Sequence, residues 1–244
     1  MTEGLVVFGA TTLAATAQTV AGFGFALIAV PFFVTVLSVQ EAVAAVAVLS
    51  FVNVVMVARS GREHAPWPTV RWLLAGSVLA MPAGLALLLG VSGDTLRIAV
   101  GVVSIVMAFA IGAGFTLRAP GARGTFAVGL VSGVLSTSIG INGPPVVLYL
   151  QALRHPPEVF RAAISTFFVL NGLVSLSIFV WSGVVDLDSL GRSLVAFPAL
   201  ILGHWLGYLI LPRFSPETFR RFVLALLVVS SSTSLLDGLM RSFG

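Results

Sequence analysis

The sequence contains no cysteine and no lysine. The missing thiols exclude disulfides, thiolate metal ligands and cysteine nucleophiles, and they leave the redox compartment unwritten. Charge of either sign is scarce: 9% of the 244 residues are charged. The thirteen basic residues are therefore all arginines, and they are spread over polar segments rather than clustered. The pI near 11.0 follows from that bias and does not mark a nucleic-acid surface, so no nucleic-acid partner is expected. No metal-ligand cluster, phosphate-binding glycine loop or nucleophile–base set is present, so neither a cofactor nor an enzymatic activity is expected. The first residues carry Glu3 and lack a basic run, so they do not read as a signal peptide.

What fills the chain is apolar. Hydrophobic residues make up 58% of it, and the mean hydropathy is +1.08. That composition predicts an all-α integral membrane protein, with the lipid bilayer as its solvent and no soluble domain. Gly4 to Leu37 is one apolar stretch, broken at Gly22-Phe-Gly-Phe25. As a single helix it would reach about 51 Å, well beyond a hydrocarbon core of about 30 Å. It therefore reads as helices near 4–20 and 26–37. Spans follow at 41–59, 70–90 and 95–117. The pattern then resumes at 125–138, breaks at Ser136-Thr-Ser-Ile-Gly-Ile-Asn-Gly-Pro-Pro145, and continues at 144–153, 158–182, 190–211 and 217–236.

The two halves match in register. Adding 118 carries Phe8 to Phe126, Thr19 to Thr137, Gly22 to Gly140, Ala44-Ala45 to Ala162-Ala163 and Asn53 to Asn171. Later the offset is 123: Gly84 meets Gly207, and Ser92-Gly-Asp-Thr-Leu-Arg97 meets Ser215-Pro-Glu-Thr-Phe-Arg220. This predicts two membrane repeats, residues 1–120 and 121–244, a plan common among secondary transporters.

Arginine placement sets the expected topology. If each broken segment crossed once, the arginines would divide seven to six between the two sides. If each is a hairpin returning to its own side, ten share one side, and Arg97, Arg192 and Arg241 face the other. Only the second division obeys the positive-inside rule. Each half is then a broken re-entrant helical hairpin plus three transmembrane helices, 8–10 membrane segments in all when half-helices are counted. The halves are inverted, both termini are periplasmic, and the hairpin tips meet near mid-depth.

No carboxylate or arginine falls in the middle of a predicted span, which argues against a cation site. The tips are neutral and rich in donors: Gln18, Thr19, Gly22 and Gly24 at the first; Ser136, Thr137, Ser138, Gly140, Asn142 and Gly143 at the second. Asn53 and Asn171 stand on the helices that follow. Helix N-termini with hydroxyl and amide donors can replace part of an anion's hydration shell. The same residues also suit helix packing and hinges, and Asn53 and Asn171 suit interhelical hydrogen bonds. His204, inside a predicted span, is either a proton-coupling group or a neutral histidine bonded between helices. His64 and His155 fall in loops.

Gly22-Phe-Gly-Phe-Ala-Leu-Ile-Ala-Val-Pro31 and Gly140-Ile-Asn-Gly-Pro-Pro-Val-Val, together with the length, span count and two-fold plan, resemble the TauE/SafE family, also called toluene-sulfonate uptake permeases. The family's usual triple glycine is interrupted here by Phe23 and Phe25 in the first half and by Asn142 in the second. The resemblance implies a carrier of sulfite, of organosulfonates such as taurine-derived sulfoacetate, or of related organic anions. The expected protein is thus a secondary transporter of the bacterial inner membrane, working by alternating access on a small anionic substrate. A passive anion or small-solute channel is the alternative, and a membrane-embedded enzyme is a third reading. Import or export, coupling to a proton or cation, and assembly into a homo-oligomer stay open.

Overall fold

A computed structural model describes residues 2–58, 64–118 and 121–210. The predicted span at 217–236, the 215–220 loop, and Arg59, Arg62, Arg213, Arg220, Arg221 and Arg241 lie outside the described residues. The described chain is ten helices with no strand: α1 (Thr2–Ala21), α2 (Phe25–Phe33), α3 (Val39–Val57), α4 (Trp67–Gly90), α5 (Gly93–Gly112), α6 (Gly121–Ser138), α7 (Gly143–Ala152), α8 (Pro157–Trp181), α9 (Leu187–Val195) and α10 (Phe197–Ile210). Among them α1, α3, α4, α5 and α8 are long and apolar enough to cross a bilayer. The chain is an all-α integral membrane protein, as its composition predicts.

Local sequence explains most helix ends. Ser38 and Glu41 form a reciprocal cap at the start of α3, with Ser38 Oγ accepting from Glu41 N–H at 3.2 Å and Glu41 Oε2 accepting from Ser38 N–H at 3.1 Å. Prolines open α4, α7 and α8, where a missing N–H costs nothing. The predicted span 190–211 is corrected: it divides at Ala196 into α9 and α10. Pro198 has no N–H to give to residue 194 and its ring would press on that carbonyl, so the first helix ends and a new one begins. Leu200 N–H then bonds Ala196 O at 3.1 Å.

Both broken segments are hairpins. Glu3 and Gly4 at the start of α1 line one pocket with Phe33 and Leu37 beyond α2, so the pair folds back on itself. In the second half Thr125, early in α6, bonds Tyr149, late in α7, at 2.6 Å. The hairpins open toward opposite ends of α5. At its N-terminal end Arg97 donates to Val34 O and Leu37 O, each at 3.1 Å, closing the end of the first hairpin. Beyond its C-terminal end Leu117 N–H bonds Leu148 O at 3.1 Å, at the end of the second. The nine residues of α2 and ten of α7 rise about 14–15 Å, roughly half of a hydrocarbon core.

Arg97 is thus the clamp on α2. Its guanidinium also meets Asp94 at 3.3 Å. It satisfies the carbonyl of Val34, the C-cap of α2, and that of Leu37 just beyond, and its charge complements the negative end of that helix's dipole. Arg97→Ala is expected to lower the thermal unfolding midpoint in detergent, with a loss of about 1.5–3 kcal/mol for hydrogen bonds to a charged group. A midpoint within a degree of wild type would show that the clamp carries no stability.

The scaffold is built on close backbone approach. The most extensive helix pairs are α4 with α6 and α1 with α10. A Cβ added at Gly76, Gly129 or Gly133 would collide with Phe126 O, Leu73 O or Ser77 O, and one added at Gly84 would strike Thr137 and Val134 O. Gly203 and Gly207 sit in the same way on Thr12 O and Thr19. Threonines add interhelical bonds: Thr137 to Met81 O at 2.6 Å, Thr16 to Gly203 O at 3.0 Å and Thr12 to Ala199 O at 3.3 Å. Small residues and hydroxyls hold membrane helices together where lipid gives no hydrophobic drive.

Candidate functional site

The two hairpin tips line one cleft. Gln18, Phe23, Gly24, Phe25, Ala26 and Leu27 come from the first, and Ser136, Gly140, Asn142, Gly143 and Pro144 from the second. Their contact is direct: a Cβ at Gly140 would lie 3.4 Å from Val30 Cγ2 of α2. The tips turn through backbone that other residues rarely adopt, with φ 107° at Gly24 and 75° at Gly140. Irregular backbone at membrane depth is tolerable where protein or a water-filled cavity surrounds it, and both breaks meet that condition. The cleft leaves about 60 Å³ for the centres of water-sized guests. One water needs about 10–15 Å³ on that scale, so there is room for a few waters or one small anion.

No charged side chain lines the cleft among the described residues. Its polarity comes from how acceptors are used up. Asn53 Nδ2 donates to Gln18 Oε1 at 3.0 Å, which leaves the Gln18 amide hydrogens uncommitted among the described residues. Asn171 Nδ2 donates to Ser136 Oγ at 3.2 Å, which leaves the Ser136 hydrogen uncommitted among the described residues. Both bonds join residues 35 apart, and the two pairs are 118 apart from each other. Asn142 stands at the N-cap of α7 without capping it, so its amide is also available. Gly24, the N-cap of α2, has no side chain with which to cap, and the first bond into that helix is Ile28 N–H to Gly24 O at 3.1 Å. The N–H groups of Phe25, Ala26 and Leu27 therefore have no acceptor within the helix. The tips thus offer hydrogens at Gln18, Ser136 and the start of α2, while the wall hydroxyls of Ser50 and Ser175 donate theirs to Ala47 O and Gly172 O.

The two helix starts are not equivalent. Pro144 and Pro145 remove two of the first-turn donors of α7, while α2 keeps all of its own. The first hairpin thus supplies most of the backbone N–H groups together with the Gln18 amide, and the second supplies mainly side-chain donors.

Several sequence-predicted residues stand behind the lining. Thr19 bonds Ala15 O at 2.8 Å and His204 Nδ1 at 3.1 Å, facing α10. Thr137 faces α4 through Met81 O, and Ser138 bonds Val134 O at 2.7 Å within its own helix. Gly22 closes α1 by donating its N–H to Gln18 O at 2.7 Å. Asn53 and Asn171 are fully buried and act on the cleft through Gln18 and Ser136. His204 packs edge-on against Tyr208, ring centroids 4.9 Å apart, and does not line the cleft.

Sequence reasoning missed the side walls. Ser50, Phe51 and Val54 come from α3, and Phe168, Gly172, Ser175 and Phe179 from α8. These residues fall three or four positions from Asn53 and Asn171 or from one another, so following the helical face around each asparagine would have found them. The cross-over is tight: a Cβ at Gly172 would lie 2.9 Å from Phe51 Cδ2.

A polytopic helical protein whose broken hairpins close on one neutral, donor-lined cleft belongs to the class of membrane transporters. More narrowly, the chain is a member of the sulfite exporter TauE/SafE family, whose sequence profile matches residues 7–233. The probable sulfite/organosulfonate exporter TauE of Cupriavidus necator is 24% identical over 229 residues, 91% of this chain and 90% of the relative. No solved structure matches.

Proposed function

We propose that the protein is a secondary transporter that moves small sulfur-containing or organic anions across the bacterial inner membrane by alternating access. The observation that carries this reading is the single cleft lined by both tips, with donors uncommitted and no carboxylate. Binding there replaces hydration without a full counter-charge, so release stays easy. The positive ends of two short helix dipoles favour an anion further. Family membership and the relative's name support sulfite and organosulfonates as the substrate class.

Residues 1–120 and 121–244 are read as inverted repeats, both termini periplasmic. The matched Gln18–Asn53 and Ser136–Asn171 bonds and the opposed hairpins support this. Alternating access would follow from the halves exchanging conformations around the cleft. A negative-inside potential opposes anion uptake by about 2.3 kcal/mol per charge per 100 mV and favours export by the same amount. Export therefore needs no coupling ion, and His204 is read as an α1–α10 link.

Flux into proteoliposomes, measured over sulfite, sulfoacetate and a dicarboxylate panel, tests the proposal. Saturable flux accelerated by substrate on the far side is expected. Intact protein indifferent to every anion overturns it, and conductance without counterflow makes the protein a channel.

A further inference from the structure

We propose that Ser77 is a positioning residue for the cleft: through Asn171 it orients the Ser136 hydroxyl toward the guest. The inference rests on the anion-carrier reading above and adds a residue from a helix that does not line the cleft. Ser77 Oγ donates to Asn171 Oδ1 at 2.6 Å, and Asn171 Nδ2 donates to Ser136 Oγ at 3.2 Å. Ser77 and Asn171 are fully buried, and Ser136 is the member at the cleft. The direction of the relay matters. A serine hydroxyl is both donor and acceptor. As arranged, Ser136 accepts from behind and keeps its hydrogen for the anion. Reversed, it would give that hydrogen to Asn171 Oδ1 and meet the anion with lone pairs only. Ser77 biases the amide against the reversal: turned over, Asn171 would present Nδ2 to Ser77, whose own hydrogen would then have to go elsewhere.

The first half serves as an internal control. Asn53 holds Gln18 as Asn171 holds Ser136, yet Asn53 Oδ1 is buried with no partner among the described residues. In the register that pairs Gly84 with Gly207, the counterpart of Ser77 is Leu200, which has no donor. Gln18 is a different kind of donor. Its amide carries donor and acceptor on different atoms, so once Oε1 is held by Asn53 the hydrogens remain for the guest. A donor behind the asparagine is found where the cleft residue is a serine and, among the described residues, is missing where it is a glutamine.

The test is a double-mutant cycle on sulfite transport. Ser77→Ala leaves Asn171 Oδ1 without its donor, so the amide can turn and take the Ser136 hydrogen instead. KM is expected to rise about two- to tenfold, the range of one net hydrogen bond, with the maximal rate within about twofold of wild type. In a Ser136→Ala background the same substitution should change KM by less than about twofold, since nothing is left to orient. An equal rise in both backgrounds overturns the proposal. If the alanine variant does not fold, Ser77→Cys keeps the shape with a weaker donor and should raise KM by a smaller amount; an unchanged KM overturns the proposal.

A second readout does not depend on transport. The chain has three asparagines, 53, 142 and 171, so asparagine ¹⁵N labelling yields three side-chain amide pairs. Ser77→Ala should move the Asn171 pair and leave the Asn53 and Asn142 pairs in place. An unmoved Asn171 pair overturns the relay. If wild-type protein carried no anion, the transporter reading would fall, and these amide signals would still decide whether Ser77 holds Asn171.

Discussion

Asn142→Asp is expected to abolish anion transport while leaving the protein folded. Asn142 lines the cleft at the start of α7 and makes no cap bond there. Aspartate has nearly the same shape and is as good an N-cap residue, so the helix loses nothing. What changes is the field. A carboxylate about 4 Å from a bound anion costs about 4 kcal/mol at an effective dielectric constant of about 20. That corresponds to a loss of roughly a thousandfold in affinity. Flux in proteoliposomes measures the loss, and the thermal unfolding midpoint separates it from misfolding. Lowering the pH should restore part of the flux by protonating the new carboxyl. Unchanged flux at neutral pH would move the anion site away from the hairpin tips.

Gly133→Val is expected to prevent assembly of the fold. A Cβ at this position would meet Ser77 O and lie 2.7 Å from Ser77 C and Cα, which are backbone atoms that cannot swing aside. Relief requires α4 and α6 to separate, and that breaks the Thr137–Met81 O bond and unpacks Gly76, Gly84 and Gly129 together. Overpacking one site in a soluble core costs about 1–3 kcal/mol. Here the strain spreads along the most extensive interface of the described chain. The variant should give no monodisperse peak on size exclusion in detergent. Gly9→Val, where a Cβ meets nothing within 4 Å, is the control and should run like wild type. A normal profile for the Gly133 variant would show that the interface tolerates a wider spacing than the structure has.

Much of this architecture was legible in the chain because the signals are local. Gly22, Gly24, Gly140 and the Pro144-Pro145 pair interrupt helices for reasons held within a few residues: α1 and α6 end beside them, and α2 and α7 begin there. Hydropathy marked the span limits of α3, α4, α5 and α8 to within a few residues. It missed the division at Ala196, since an apolar run has the same hydropathy whether or not Pro198 breaks it. Arginine counting pointed to hairpins, and the Thr125–Tyr149 bond displays that fold-back directly in the second half.

The roles within the site were not legible in the same way. Gln18 and Thr19 are neighbours, as are Ser136 and Thr137, and composition cannot rank them. Successive helical residues point about 100° apart, so one of each pair faces the cleft and the other faces a scaffold helix. Which one does so is decided by partners far along the chain: His204 for Thr19, Met81 for Thr137, Asn53 for Gln18 and Asn171 for Ser136. The sequence by itself thus determined that the chain lives in a membrane, where its helices break and that no buried charge awaits the guest. Only the tertiary structure decided which hydrogens reach the cleft, because that depends on which acceptors other helices have already taken.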